Sequence, residues 1–201
     1  MRRLWYCVAH PLAGRYLLRG TMDKFSDILR LATSKVEAEY FKLIQYDADD
    51  VYRERVYCYE LYHQMRCIWD YEDFILNGEV DKAGHPALKD TKVANAKPDF
   101  LVHYPGDMRK NDIVIEVKSS NADIGPIETD LTNLAEFKLK VDYRRAIFLI
   151  YGSGYDDEYW IDKVNRAAKK VSQSTTVELW RHKTCLEPAE FLCNVLVGKR
   201  I

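Results

Sequence analysis

The sequence predicts an α/β domain: a mixed sheet of four or five strands flanked by helices. Three observations lead there. Apolar residues recur at helical spacing over 22–45 and 51–69. Short runs rich in Ile, Val and Phe, bounded by Gly, Pro, Asn or Asp, follow from residue 73. Helical and strand-like segments then alternate, giving the order α, α, β, β, β, α, β, α, β, α. At 201 residues, 47% of them hydrophobic and 30% charged, the chain can bury the core of one ordinary domain and is not of disordered composition.

Each element has a local reason. Residues 22–45 place Phe25, Ile28, Leu29, Ala32 and Val36 along one helical face, and 51–69 do the same with Cys58, Leu61, Met65 and Ile68. "DFILNGEV", "PDFLVHY" and "DIVIEVKS" read as three strands. A helix is expected over 126–142, with Pro126 in its first turn, Glu128 and Asp130 near its positive end, and Lys138 and Lys140 near its negative end. "RAIFLIYG" is almost wholly apolar, as a strand covered on both faces should be. A helix over 156–171, a strand over 175–183 and a short helix after Pro188 complete the chain.

Bulk properties exclude several classes. No apolar run approaches the roughly 20 residues that span a bilayer, and the N-terminal apolar stretch is interrupted by His10, Pro11 and Arg15, unlike a signal peptide. Cys7, Cys58, Cys67, Cys185 and Cys193 form no CxxC pair, which predicts reduced thiols, a cytoplasmic protein and no structural zinc. Net charge is −1, so the molecule is no polycation. Residues 1–20 nevertheless carry Arg2, Arg3, Arg15 and Arg19 without an acid, and 47–82 carry ten acids against four bases.

The strands at 98–104 and 112–119 pose the functional question. Side chains alternate along a strand, so Glu116 and Lys118 share the face of Val114, about 6.6 Å apart along the chain. Asp99 opens the preceding strand. If the two strands are neighbours, Asp99 and Glu116 converge and repel, unless one takes a proton or a cation lies between them. Oxygen ligands suit Mg²⁺ or Mn²⁺. Lys118 would need a shift worth roughly 4.6 kcal/mol to act as a base near pH 7; carboxylates push it the other way, which favours electrostatic stabilisation of the transition state.

Pro98-Asp99, a gap of sixteen residues, and Glu116-Val117-Lys118 resemble the PD-(D/E)xK signature of the restriction-endonuclease-like nucleases. The surrounding order of helix, three strands, helix and strand is similar to that family's core. The resemblance implies one nuclease-like domain over 1–201, with a helical extension over 1–50, the core over 51–151 and an addition over 152–201. It implies metal roles for Asp99 and Glu116, assisted by the backbone carbonyl between glutamate and lysine, and a catalytic role for Lys118. Many members add an acid from the helix before the strands. Glu60 is the preferred candidate, because a carboxylate beside an apolar stripe is costly to place; Glu79 or Asp81 is the alternative.

The resulting expectation is a Mg²⁺- or Mn²⁺-dependent endonuclease hydrolysing phosphodiesters, with DNA as the substrate implied by the family and restriction, phage defence or repair as settings. A ribonuclease or small-nucleotide phosphodiesterase with the same metal site is one alternative. An inactive module that binds nucleic acid or protein is another. Lys138, Lys140, Arg144, Arg145 and His63 are candidate phosphate contacts, although cations at a helix C-terminus are ordinary. Asp99, Glu116 and Glu60 are the expected metal ligands. A homodimer or partner subunit would supply sequence-reading surface, and no membrane partner is expected. His103 reads as structural, and Tyr52, Tyr57, Tyr59 and Tyr62 mainly as packing.

Overall fold

A computed structural model describes residues 24–71, 73–79, 96–106 and 110–198. Arg2, Arg3, Arg15, Arg19, Cys7 and Asp81 lie outside the described residues.

The chain begins with α1 (Lys24–Thr33), α2 (Ala38–Phe41), β1 (Leu43–Gln45), β2 (Ala48–Val51) and α3 (Glu54–Cys67). The single helix expected over 22–45 is therefore two helices and the first strand of a hairpin. Thr33 ends α1: its hydroxyl donates to Leu29 O at 2.8 Å and accepts from Ala189 N at 2.7 Å. Val36 and Phe41 stay buried beyond the break, so apolar spacing continues where the helix does not. Between β1 and β2, Asp47 takes φ 52°, a left-handed conformation that Asp tolerates better than most residues.

The remaining elements are β3 (Ile75–Gly78), β4 (Phe100–His103), β5 (Asn111–Ser119), α4 (Ile124–Lys140), β6 (Arg145–Tyr151), α5 (Asp157–Ala168), β7 (Thr175–His182) and β8 (Glu190–Val197). They build one six-stranded sheet in the order β3-β4-β5-β6-β7-β8, separate from the two-stranded β1-β2 sheet. β5, β6 and β7 run parallel; β3/β4, β4/β5 and β7/β8 are antiparallel. The sixth strand replaces the helix expected after Pro188. Residues 190–197 pair with β7 from Arg181↔Glu190 to Thr175↔Val197, burying Val195 and Val197 in alternation.

Both faces of the sheet are covered. Ile113, Ile115 and Val117 of β5 pack in a core with Phe25 and Leu29 of α1 and Tyr57, Leu61 and Met65 of α3. Val114 points the other way, into a core with Leu131 and Leu134 of α4 and Trp160 and Val164 of α5. This alternation carries Glu116 and Lys118 to the α4 side. Among the described residues, no helix is long and apolar enough to cross a membrane.

Candidate active site

Phe100 stands opposite Ile115, so Asp99, just before β4, faces Glu116 on β5. The two carboxyl groups are close enough that the charge of Asp99 raises the pKa of Glu116. Val117 N donates to Asp99 Oδ2 at 2.7 Å, and Asn133 of α4 donates to Glu116 Oε1 at 3.2 Å. Lys118 Nζ lies 3.0 Å from Asp130 Oδ2 of α4, and it donates to Glu54 Oε2 at 3.2 Å and to the Val117 carbonyl at 3.4 Å. Glu54, in the first turn of α3, also accepts from Ser119 N at 3.1 Å. At the carboxyl end of β5, one ammonium group thus contacts Glu54 of α3 and Asp130 of α4 and lies in the field of Asp99 and Glu116.

Burial dominates the electrostatics. Glu116 is 5% exposed; desolvation raises its pKa well above the ordinary value, and the charges of Asp130 and Asp99 add to the rise. Desolvation pushes Asp99 up to about 6, against the opposing pull of the Val117 N–H and Lys118. Asp130 is raised to about 7 by the same cause, despite its contact with Lys118. For Lys118, burial favours the neutral amine, but Asp130, Glu54 and Asp99 outweigh it and hold the ammonium above its usual range. Lys118 is therefore held as the ammonium ion at neutral pH by the carboxylates around it. Cys58, on the same helix as Glu54, is pushed well up by burial and by the fields of Asp99 and Glu54, so it carries no thiolate at neutral pH.

Asp99, Glu116 and Lys118 are thus brought together, and Glu60 is not among them. Glu60 accepts from Gln64 Nε2 at 2.6 Å on its own helix. It lies six residues beyond Glu54, about 9 Å along the axis and on a different face. The helix carboxylate at the centre is Glu54. A first-turn acid complements the helix dipole, which gives Glu54 an ordinary reason for its position and nothing in the sequence to single it out. Glu79 pairs with Arg55 at 3.3 Å, and its backbone amide donates to Asp99 O. Asp130 and Asn133 were also missed. The available signal was a carboxylate set in the apolar stripe Ile127–Leu131–Leu134.

The basic residues proposed for phosphate lie elsewhere. Arg144 pairs with Asp112, and Arg145 with Glu178 and Ser26, both at the amino ends of β5 and β6. Asp112 and Lys118 are six residues apart on β5, about 20 Å. Lys140 pairs with Glu136, and Lys138 donates to Thr176 O. Each of these four cations is engaged within the fold, away from the carboxyl end of β5. His63 is exposed on α3, beside Cys67. His103 pairs with Asn77 at 2.8 Å, and Tyr57 is buried against His182. Tyr62 bonds Leu76 O, and Tyr52 bonds Ser153.

Among the described residues, no three His, Cys, Asp or Glu side chains form a ready-made metal cluster. Asp99 and Glu116, opposed on neighbouring strands and both raised in pKa by burial, are the residues that could hold a divalent cation. Mg²⁺ is ordinarily held by one or two carboxylates, with water or phosphate oxygen in the remaining positions, a demand this pair fits and a three-ligand zinc site does not. Comparison with protein-family models, curated proteins and solved structures finds no match.

Proposed function

We propose that the protein is a Mg²⁺- or Mn²⁺-dependent nuclease of the PD-(D/E)xK kind, acting on the phosphodiester backbone of DNA. One observation carries this reading: Asp99 and Glu116 stand opposite each other on neighbouring strands, both buried, with the ammonium group of Lys118 held beside them by Glu54 and Asp130. Asp99 and Glu116 hold the ion. Val117 N–H orients the first and Asn133 the second. Bound there, the ion would polarise a phosphoryl oxygen and lower the pKa of a water.

Lys118 faces the phosphate and stabilises the negative charge that develops as water adds and the ester oxygen leaves. Glu54 and Asp130 act through Lys118, fixing its direction and its charge. The PD-(D/E)xK resemblance supports this assignment, and DNA rests on it by analogy alone.

The test uses wild type and Lys118→Ala with plasmid DNA, single-stranded DNA and RNA, in Mg²⁺, Mn²⁺ or EDTA. Metal-dependent cleavage that disappears in the variant is expected. Cleavage that survives EDTA, or that Lys118→Ala leaves intact, overturns the mechanism. Metal binding by calorimetry without any polymer cleavage turns the reading toward a small nucleotide substrate. Neither binding nor cleavage leaves a binding module.

A further inference from the structure

Beyond the carboxylates, the turn that follows Lys118 leads to a group of aromatic side chains. Ala122 N bonds Ser119 O at 3.0 Å, and Ala122 O accepts from Lys163 Nζ of α5 at 2.7 Å. The same ammonium group lies 4.8 Å from the ring centre of Trp160 and 5.5 Å from that of Tyr159. On Tyr159 stacks Tyr155, with ring centres 3.9 Å apart and planes inclined by 14°. Tyr155 is 51% exposed. A path from the turn after Lys118, through the Ala122–Lys163 hydrogen bond, the Lys163–Tyr159 contact and the Tyr159–Tyr155 stack, thus ends on an open aromatic ring with a cation on the same side.

Helix capping accounts for part of this arrangement. Asp156 caps α5 by accepting from Tyr159 N, and Tyr155 packs edge-on against Trp160 as a hydrophobic staple does. A staple needs an apolar side chain but neither a stacked pair nor an open ring. Of the three acids at this helix start, Asp156 is the cap and Asp157 faces the charge of Arg181, which leaves Glu158 exposed. Acids beside the rings disfavour a phosphate on the platform itself. They do not disfavour a neutral base whose phosphates lie toward Lys163 and Lys118.

We infer that Tyr155 and Tyr159 form a stacking platform for one unpaired nucleobase of the strand whose phosphate enters the Asp99–Glu116–Lys118 centre. The proposal rests on the nuclease reading and names its substrate: a strand that is single at this position, whether a free single strand or a flap. A base paired within a duplex has both faces covered by its neighbours and cannot use the platform. A base on an aromatic ring is held without regard to sequence.

The test pairs wild type with Tyr155→Leu, which keeps an apolar staple and removes the flat ring. An oligonucleotide carrying 2-aminopurine reports stacking by fluorescence quenching in Ca²⁺, and cleavage is followed separately in Mn²⁺. Wild type should quench the probe. The variant should lose the quench, bind the single strand at least about fivefold more weakly, and hold duplex as wild type does, with an unchanged melting temperature. Tyr155→Trp should strengthen the quench, so an unstable leucine variant would not end the test. Cleavage by wild type together with equal quenching in wild type and Tyr155→Leu overturns the platform and leaves the nuclease standing. If wild type neither binds nor cuts any polynucleotide, the nuclease reading falls and takes the platform with it.

Discussion

Replacing Asp99 with asparagine should make the metal-free protein more stable, while abolishing its use of metal. The folded protein raises the Asp99 pKa from 3.8 to about 6. Two pH units correspond to about 3 kcal/mol. Because the folded value lies above the unfolded one, the cost is nearly absent below pH 3.8, grows as pH rises, and is complete above about pH 6. At pH 5 it is roughly half developed. Asparagine carries no charge to desolvate, and its carbonyl can still accept from Val117 N, at a loss of about 1 kcal/mol for the weaker bond. The net gain at pH 8 is then about 2 kcal/mol, or roughly 4–8 °C in melting temperature for a chain of this size. Thermal melts in EDTA at pH 8 and pH 5 measure it. Saturating Mg²⁺ should reverse the order, since only wild type gains ligand stabilisation. A variant that is less stable than wild type in EDTA at pH 8, or a gain that does not shrink toward pH 5, refutes the electrostatic reasoning.

Three further outcomes follow from the same contacts. Glu54→Gln should lower kcat by roughly 10- to 100-fold through the loss of Lys118 orientation, whereas Glu60→Gln, which alters only a bond to Gln64, should leave kcat unchanged; the reverse ranking in steady-state assays restores Glu60 to the centre. Lys118→Met removes the cation that favours ionised Asp130, so the Asp130 titration should move above its wild-type value of about 7. Carboxyl-carbon NMR reads that midpoint, and a fall instead of a rise contradicts the assigned contact. Arg145→Ala leaves Glu178 without its cation and should destabilise the fold by about 3–5 kcal/mol, with the salt dependence of polynucleotide binding unchanged. Weaker binding at unchanged stability would move Arg145 into the nucleic-acid interface.

How much could be read in advance depends on whether the deciding interaction is local. Strand alternation placed Glu116 and Lys118 on one face and Val117 on the other, because a period of two is a property of the backbone itself. The Asp99–Glu116 meeting needed only that neighbouring runs pair in antiparallel order. The break after Thr33 was not legible, since the partner that accompanies it, Ala189 N, lies 156 residues away. Residues 190–197 became a strand because β7 offered an open edge, which short-range propensity does not encode. Glu54 and Asp130 were hidden for a related reason. Glu54 occupies a first-turn position where acids are common for helix reasons alone, Asp130 lies well inside α4, and only the docking of α3 and α4 on β5 brings both to Lys118. Arg144 and Arg145 show the converse: free cations in a linear reading, tied by Asp112 and Glu178 once the strands assemble.

A structural ion pair and a cation site place different demands on similar residues, and this fold contains both. At the amino end of β6, Arg145 meets Glu178 through two contacts of 2.7 Å each, one cation to one carboxylate, with Ser26 completing the shell. At the carboxyl end of β5, one ammonium faces Glu54, Asp99, Glu116 and Asp130. A single positive charge cannot neutralise four carboxylates, so the surplus is held partly as protonated acid, at a cost in stability that grows toward neutral pH. Replacing Asp99, Glu116 or Asp130 with a neutral isostere would relieve that cost, which makes the group a poor way to stabilise a fold. The arrangement makes sense if a second positive charge arrives from solution and favours the ionised carboxylates. Lys118 would then be free to turn part of its charge toward an incoming phosphate.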